Sequence, residues 1–120
     1  MYIQMQYEWD ERKNRENQRK HAGISFELAM LVFEDEHRLI SLYRVDETGE
    51  QRWHAVGVVK VRPGVGAVLL VVHAYRRPSD EDLSPGTPRE EKNGEETIRI
   101  ISARRAGPND LRRNQEPTVD

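Results

Sequence analysis

Ala67-Val68-Leu69-Leu70-Val71-Val72-His73-Ala74-Tyr75 decides the fold. Its first six residues, Ala67 to Val72, are uninterruptedly apolar, far short of the roughly 18–20 residues a membrane span needs. Its length and β-branched content suit a strand, and its lack of alternation predicts a central strand covered on both faces. Before it, Pro63-Gly64 makes a turn, and Arg52 to Val61 reads as the preceding strand. Leu39 to Tyr43 is a short strand before that. Downstream, Thr97 to Ser102 is a β-branched strand, and a short helix starts near Pro108, which suits a first helical position.

Upstream, Ile3, Met5, Tyr7 and Trp9 alternate, so Tyr2 to Trp9 reads as a strand with one apolar face. Asp10 is a helix N-cap. The helix it opens, Glu11 to His21, is almost wholly polar and must present its side chains to something other than a broad apolar core. Gly23 stops it. Ser25 caps a second helix in which Phe26, Ala29, Met30 and Phe33 recur at core spacing. Glu34-Asp35-Glu36 marks its exit. The order β-α-α-β-β-β-β-α predicts an α+β fold: a mostly antiparallel sheet with helices segregated to one side.

At 120 residues the chain is expected to form a single domain, 1–120. Charged residues make up 33% and hydrophobic ones 36%, polar enough to expect a solvated segment beside the core. That segment is 78–96, whose length and five Pro or Gly residues predict a disordered insertion. A flexible tail is expected at 115–120. There is no cysteine, which excludes disulfide scaffolds, thiolate metal sites and cysteine nucleophiles. The N-terminus has no signal-peptide pattern, and a cytoplasmic protein without membrane attachment is expected.

Charge is unevenly placed. Residues 78–96 carry a net of −5 within an overall −2, so the rest of the chain carries +3. Arg12 to Lys20 and Arg99 to Arg113 each hold five bases against one acid. A basic body favours an anionic partner; two solvated faces are the alternative.

Other motifs fail. Gly64-Val65-Gly66 lacks the third glycine of a dinucleotide fingerprint, because position 69 is leucine. The four histidines lack metal-ligand spacing, and Asp80-Glu81-Asp82 lacks that of a calcium loop. No serine lies in a nucleophile elbow. What remains is a set of bases at strand ends. Glu50 and Arg52 share one face, His73 and Arg76 close the central strand, and Arg104-Arg105 follow the last strand. If those strands are neighbours, the arginines can converge on one rim. Guanidiniums around one carboxylate suit a phosphodiester, with Glu50 or His73 moving protons. A surface ion pair and an exposed strand end would account for the same residues.

Trp9-Asp10, Lys13, Asn17, Lys20-His21, Gly23-Ile24-Ser25-Phe26-Glu27 and Val32-Phe33 resemble the opening of the BrnT toxin family. Glu50, Arg52, Gly57, Val71-Val72-His73, Arg76 and Ile98-Arg99-Ile100-Ile101-Ser102-Ala103-Arg104-Arg105-Ala106 resemble the rest in order. The resemblance covers about 7–113, apart from the insertion. It implies a RelE-like fold and a ribonuclease toxin of a type II toxin–antitoxin system that inhibits translation. RNA would be cleaved by its own 2′-hydroxyl, without metal or other cofactor. The implied partner is a BrnA-like ribbon-helix-helix antitoxin, in a heterotetramer with two of each chain, through which alone operator DNA is met. By position, Glu50, Arg52, Arg76, Arg104 and Arg105 would be catalytic, and Lys20, His21, His73 and Arg99 would bind RNA. Helix-end capping is the alternative for Lys20 and His21.

Three features depart from the family pattern: the extra Ala22, the long insertion, and Asn114 in a region where many members have a tyrosine. A catalytically degenerate homologue, acting as a partner or co-repressor of the antitoxin, is the alternative these departures keep open.

Overall fold

A computed structural model describes residues 6–76 and 97–115. The elements are β1 (Gln6–Glu8), α1 (Glu11–Lys20), α2 (Phe26–Met30), a 3-10 turn (Leu31–Glu34), β2 (Leu39–Val45), β3 (Gln51–Arg62), β4 (Val65–Arg76), β5 (Thr97–Arg105) and α3 (Pro108–Gln115). The fold is α+β, with a five-stranded sheet ordered β1-β5-β4-β3-β2. Only β1–β5 is parallel; the other three pairings are antiparallel. Residues 2–5 of the expected first strand, the 78–96 insertion and the end of the tail lie outside the described residues.

β4 is the central strand that its apolar run predicts. Leu69 and Val71 face α2, Leu70 and Ala74 point the other way, and all four are buried. The α2 face of the sheet forms the main core, with Ala55, Val59, Leu69, Val71, Ile98, Ile100 and Ala103 meeting Phe26, Ala29, Val32 and Phe33. The expected amphipathic helix is real but shorter, because it tightens at Leu31 into a 3-10 turn. The tighter winding buries the neighbours Val32 and Phe33 together. Gly57 makes room for that turn: a Cβ there would sit 3.0 Å from Val32 Cγ1 and 3.2 Å from Asp35 Oδ2. Asp35 then accepts a 2.8 Å hydrogen bond from the Val58 amide, occupying a donor beyond the point where β2 pairing with β3 begins.

Asp10 and Ser25 cap their helices as expected. Polar α1 is held by two buried asparagines. Asn14 Oδ1 accepts from the Phe26 amide at 2.8 Å, and its amide donates to Glu27 at 2.8 Å. Asn17 donates to the Ala103 and Ile24 carbonyls and accepts from the Ala103 amide. β1 ends opposite Arg99, so the Asn17 amide does for the edge of β5 what a continuing strand would have done.

The C-terminal helix departs from the expectation that the helices segregate to one side. Alternation along β5 turns Arg104 away from the core residue Ala103, and Arg104 binds Asp110 of α3. α3 also contacts β2, so it lies across the face opposite α2. Gly107 caps it, its amide bonded to the Asp110 carboxylate, with Pro108 in the first helical position.

Candidate active site

The β2–β3 hairpin builds one end of the site. Asp46 Oδ1 accepts from the Thr48 amide, the Thr48 hydroxyl and the Glu50 amide at 2.9, 2.6 and 3.0 Å. Gly49 takes the positive φ of +88° that the turn requires. Asp46 Oδ2 also receives Arg52 Nη2 at 3.2 Å. These donors hold the Asp46 carboxyl well below the usual carboxylate range, with the Thr48 hydroxyl contributing most.

Glu50 is thereby fixed at the head of β3, where its Oε1 accepts a 2.7 Å charge-assisted hydrogen bond from Arg99 Nη2. The same oxygen lies 3.1 Å from Arg52 Nε, near enough for an ion pair but off the line of a hydrogen bond. The register explains the meeting. Trp53 pairs with His73 and Ala74 with Arg99, so Arg52, Ala74 and Arg99 form one row across β3, β4 and β5. Small Ala74 leaves space in which Glu50 can bridge the two guanidiniums. Arg76 lies beside this row, its Nη1 3.3 Å from both oxygens of Glu8, which pairs with Arg99 across the β1–β5 ladder. The Arg76 side chain is 64% exposed.

A second row holds His54, Val72 and Ser102. Tyr43 stacks on His54, ring centroids 4.2 Å apart and planes 18° from parallel. A third row holds Val56, Leu70 and Arg104. There Arg104 makes two hydrogen bonds to Asp110, 2.8 and 3.0 Å long. The pair pulls the Asp110 carboxyl down to about 2 and raises Arg104, with the shared hydrogen bond as the main cause of each shift.

The structure therefore brings Glu50, Arg52 and Arg99 together, with Arg76 adjacent. Arg104 is on the same face but roughly 15 Å further along β5, tied to α3. Arg105 is exposed and, paired with Leu69, belongs to the α2 face. Lys20 ends α1 and His21 is its C-cap, with Lys20 exposed and His21 half-buried. His73 is enclosed, 0% exposed, with its ring edge-on to Phe33 and Tyr75. Burial lowers its pKa to about 4, so it is neutral at physiological pH. Its Nδ1 lies 3.3 Å from the Val71 carbonyl.

Sequence reasoning missed Asp46, Tyr43, His54 and Asp110. Asp46 had a readable signal, since Asp-x-Thr-Gly between two strands is an Asx-type turn. Tyr43 had none, because its direction depends on a register shift between Leu42 and Arg44. Among the described residues, histidines and acids nowhere gather in the threes a metal ion needs, and no helix is long and apolar enough to cross a membrane.

No curated protein matches the chain. The family model for BrnT, the ribonuclease toxin of type II toxin–antitoxin systems, matches residues 9–110. That span runs from Trp9, just after β1, through the Glu50–Arg52–Arg99 cluster to Asp110, and the chain belongs to the BrnT family of ribonuclease toxins of type II toxin–antitoxin systems.

Proposed function

We propose that the chain cleaves RNA without a metal, at the Glu50–Arg52–Arg99 row. The observation that carries this reading is one carboxylate held between two guanidiniums on an accessible sheet face. The Glu50 carboxylate takes the proton of a ribose 2′-hydroxyl. The 2′-oxygen bonds to the adjacent phosphorus, the bond to the 5′-oxygen breaks, and that oxygen leaves with a proton from water. Extra negative charge develops on the phosphoryl oxygens between these states. Arg52 and Arg99 stabilise it with N–H groups not used on Glu50, and Arg76 supplies a further positive charge. Only RNA has the attacking hydroxyl, so DNA is not a substrate.

Arg104 has a bidentate carboxylate partner, and in this scheme it fixes α3 across the face and adds positive potential to the RNA path. Lys20 and His21 extend the basic surface for longer RNA. The wider setting is that of a RelE-like toxin in the cytoplasm. It stops translation and is neutralised by a BrnA-like ribbon-helix-helix antitoxin in a two-plus-two complex, which meets operator DNA through the antitoxin alone.

One observation favours a second reading: each arginine of the site already faces a carboxylate, namely Glu50, Asp46, Glu8 or Asp110. A degenerate toxin retained as partner or co-repressor of its antitoxin would tolerate such neutralisation. Incubating the protein in chelator with RNA and with DNA of matching sequence separates the two. Cleavage of RNA alone, lost in Arg52→Ala, supports the ribonuclease; intact RNA, free and on translating ribosomes, supports the degenerate partner.

A further inference from the structure

Tyr43 is a large aromatic residue, 48% exposed, on the same sheet face as Glu50, Arg52 and Arg99. It occupies the register shift in β2: Leu42 pairs with Trp53 and Arg44 with Arg52, leaving Tyr43 without a partner position. Such bulges re-aim a side chain. Here the ring lies flat on His54, which is nearly buried and so forms a fixed floor. The Arg44 guanidinium carbon is 5.9 Å from the ring centroid, at the edge of cation–π range. Along the face, His54 lies in the row between Arg52–Arg99 and Arg104, and Tyr43 is within electrostatic reach of Arg104.

An aromatic plane between two sets of guanidiniums has the chemistry of a single strand of nucleic acid. The plane takes a base, and the cations take the phosphates on either side. We propose that Tyr43, backed by His54, is a stacking platform for one unpaired nucleobase of the RNA and sets the neighbouring phosphodiester against the Glu50–Arg52–Arg99 row. This rests on the ribonuclease reading and adds a base-binding subsite to it. Any base has a face to stack, so the platform confers a requirement for unpaired RNA rather than for one letter.

The test uses single-stranded 2′-O-methyl RNA containing 2-aminopurine, which cannot be cleaved by the proposed route and whose fluorescence falls on stacking. Wild-type protein is expected to bind it and quench it. Tyr43→Leu, at an exposed position, is expected to bind about tenfold more weakly and to lose the quench at saturation. Tyr43→Trp, which restores an aromatic plane, is expected to recover most of both. Arg52→Ala should weaken binding while the quench at saturation remains. If Tyr43→Leu binds and quenches like wild type, the platform is overturned, and the ribonuclease reading survives provided wild type still cuts unmodified RNA. If wild type neither binds nor cuts, both fall.

Discussion

Glu50 Oε1 and Arg99 Nη2 are 2.7 Å apart, joining residues 49 positions distant in the sequence at one point on the sheet. The contact depends on the β3–β4 and β4–β5 registers at once, since each places one residue of the row across Ala74. Catalytic loss is therefore expected from either partner. Glu50→Gln removes the base and Arg99→Ala a charge-stabilising donor, each lowering single-turnover RNA cleavage by about 10²–10³-fold. Circular dichroism and melting should stay close to wild type, because both side chains are at the surface of the sheet. Cleavage within threefold of wild type in both variants would remove the row from the mechanism.

Asn17 makes the opposite kind of prediction, a structural one. Its side chain makes three buried hydrogen bonds, two of them to Ala103. Asn17→Ala strands those backbone groups and is expected to destabilise the fold by about 3 kcal/mol, read as a lower urea midpoint at unchanged slope. Asn17→Asp can still accept from the Ala103 amide but cannot donate to its carbonyl, so it should cost nearly as much. A loss below about 0.5 kcal/mol in both would mean the edge of β5 is satisfied some other way.

His73 sets a pH dependence of stability. Its pKa is lowered from 6.5 to about 4 in the fold, so across that window the unfolded chain binds a proton that the folded chain refuses. Stability should fall as pH drops from 6.5 toward 4 and be insensitive to this group above 6.5. The full effect is on the order of 3 kcal/mol. His73→Leu should flatten the slope between those pH values; an unchanged slope would assign it to other groups.

Ala22 carries local strain. Its φ is +54°, in the left-handed region that suits glycine, and it is exposed, so packing does not compensate. Ala22→Gly is expected to stabilise the protein by about 0.5–1 kcal/mol and raise Tm by a few degrees. No change, or a loss, would show that the turn between α1 and α2 is unstrained.

Local signals made much of this molecule legible. The apolar run at 67–75 located the central strand, and Asp10, Ser25, Gly23 and Pro108 bounded the helices, because caps and turns act within a few residues. The BrnT motifs added the family. Long-range geometry stayed hidden. Proximity of Arg99, rather than Arg104, to Glu50 depends on strand register, including the shift between Val72 and His73. His73 ends a strand motif, yet alternation turns it into the core against Phe33. The hold on polar α1 was invisible too, since the Asn17 partner lies 86 residues away. That α3 crosses to the other face follows from the Arg104–Asp110 pair and from its contact with β2, both set by the folded sheet rather than by local sequence.

Metal-free cleavage by the 2′-hydroxyl at the Glu50–Arg52–Arg99 row dictates which bond of the RNA breaks. Its most direct test is the chemistry of the ends left when purified protein cuts RNA in chelator. The expected result is 2′,3′-cyclic phosphate and 5′-hydroxyl ends, no product from the same sequence with 2′-deoxy sugars, and loss of cleavage in Arg52→Ala. Ends bearing 3′-hydroxyl and 5′-phosphate, or cleavage that appears only when a divalent ion is restored, would contradict it.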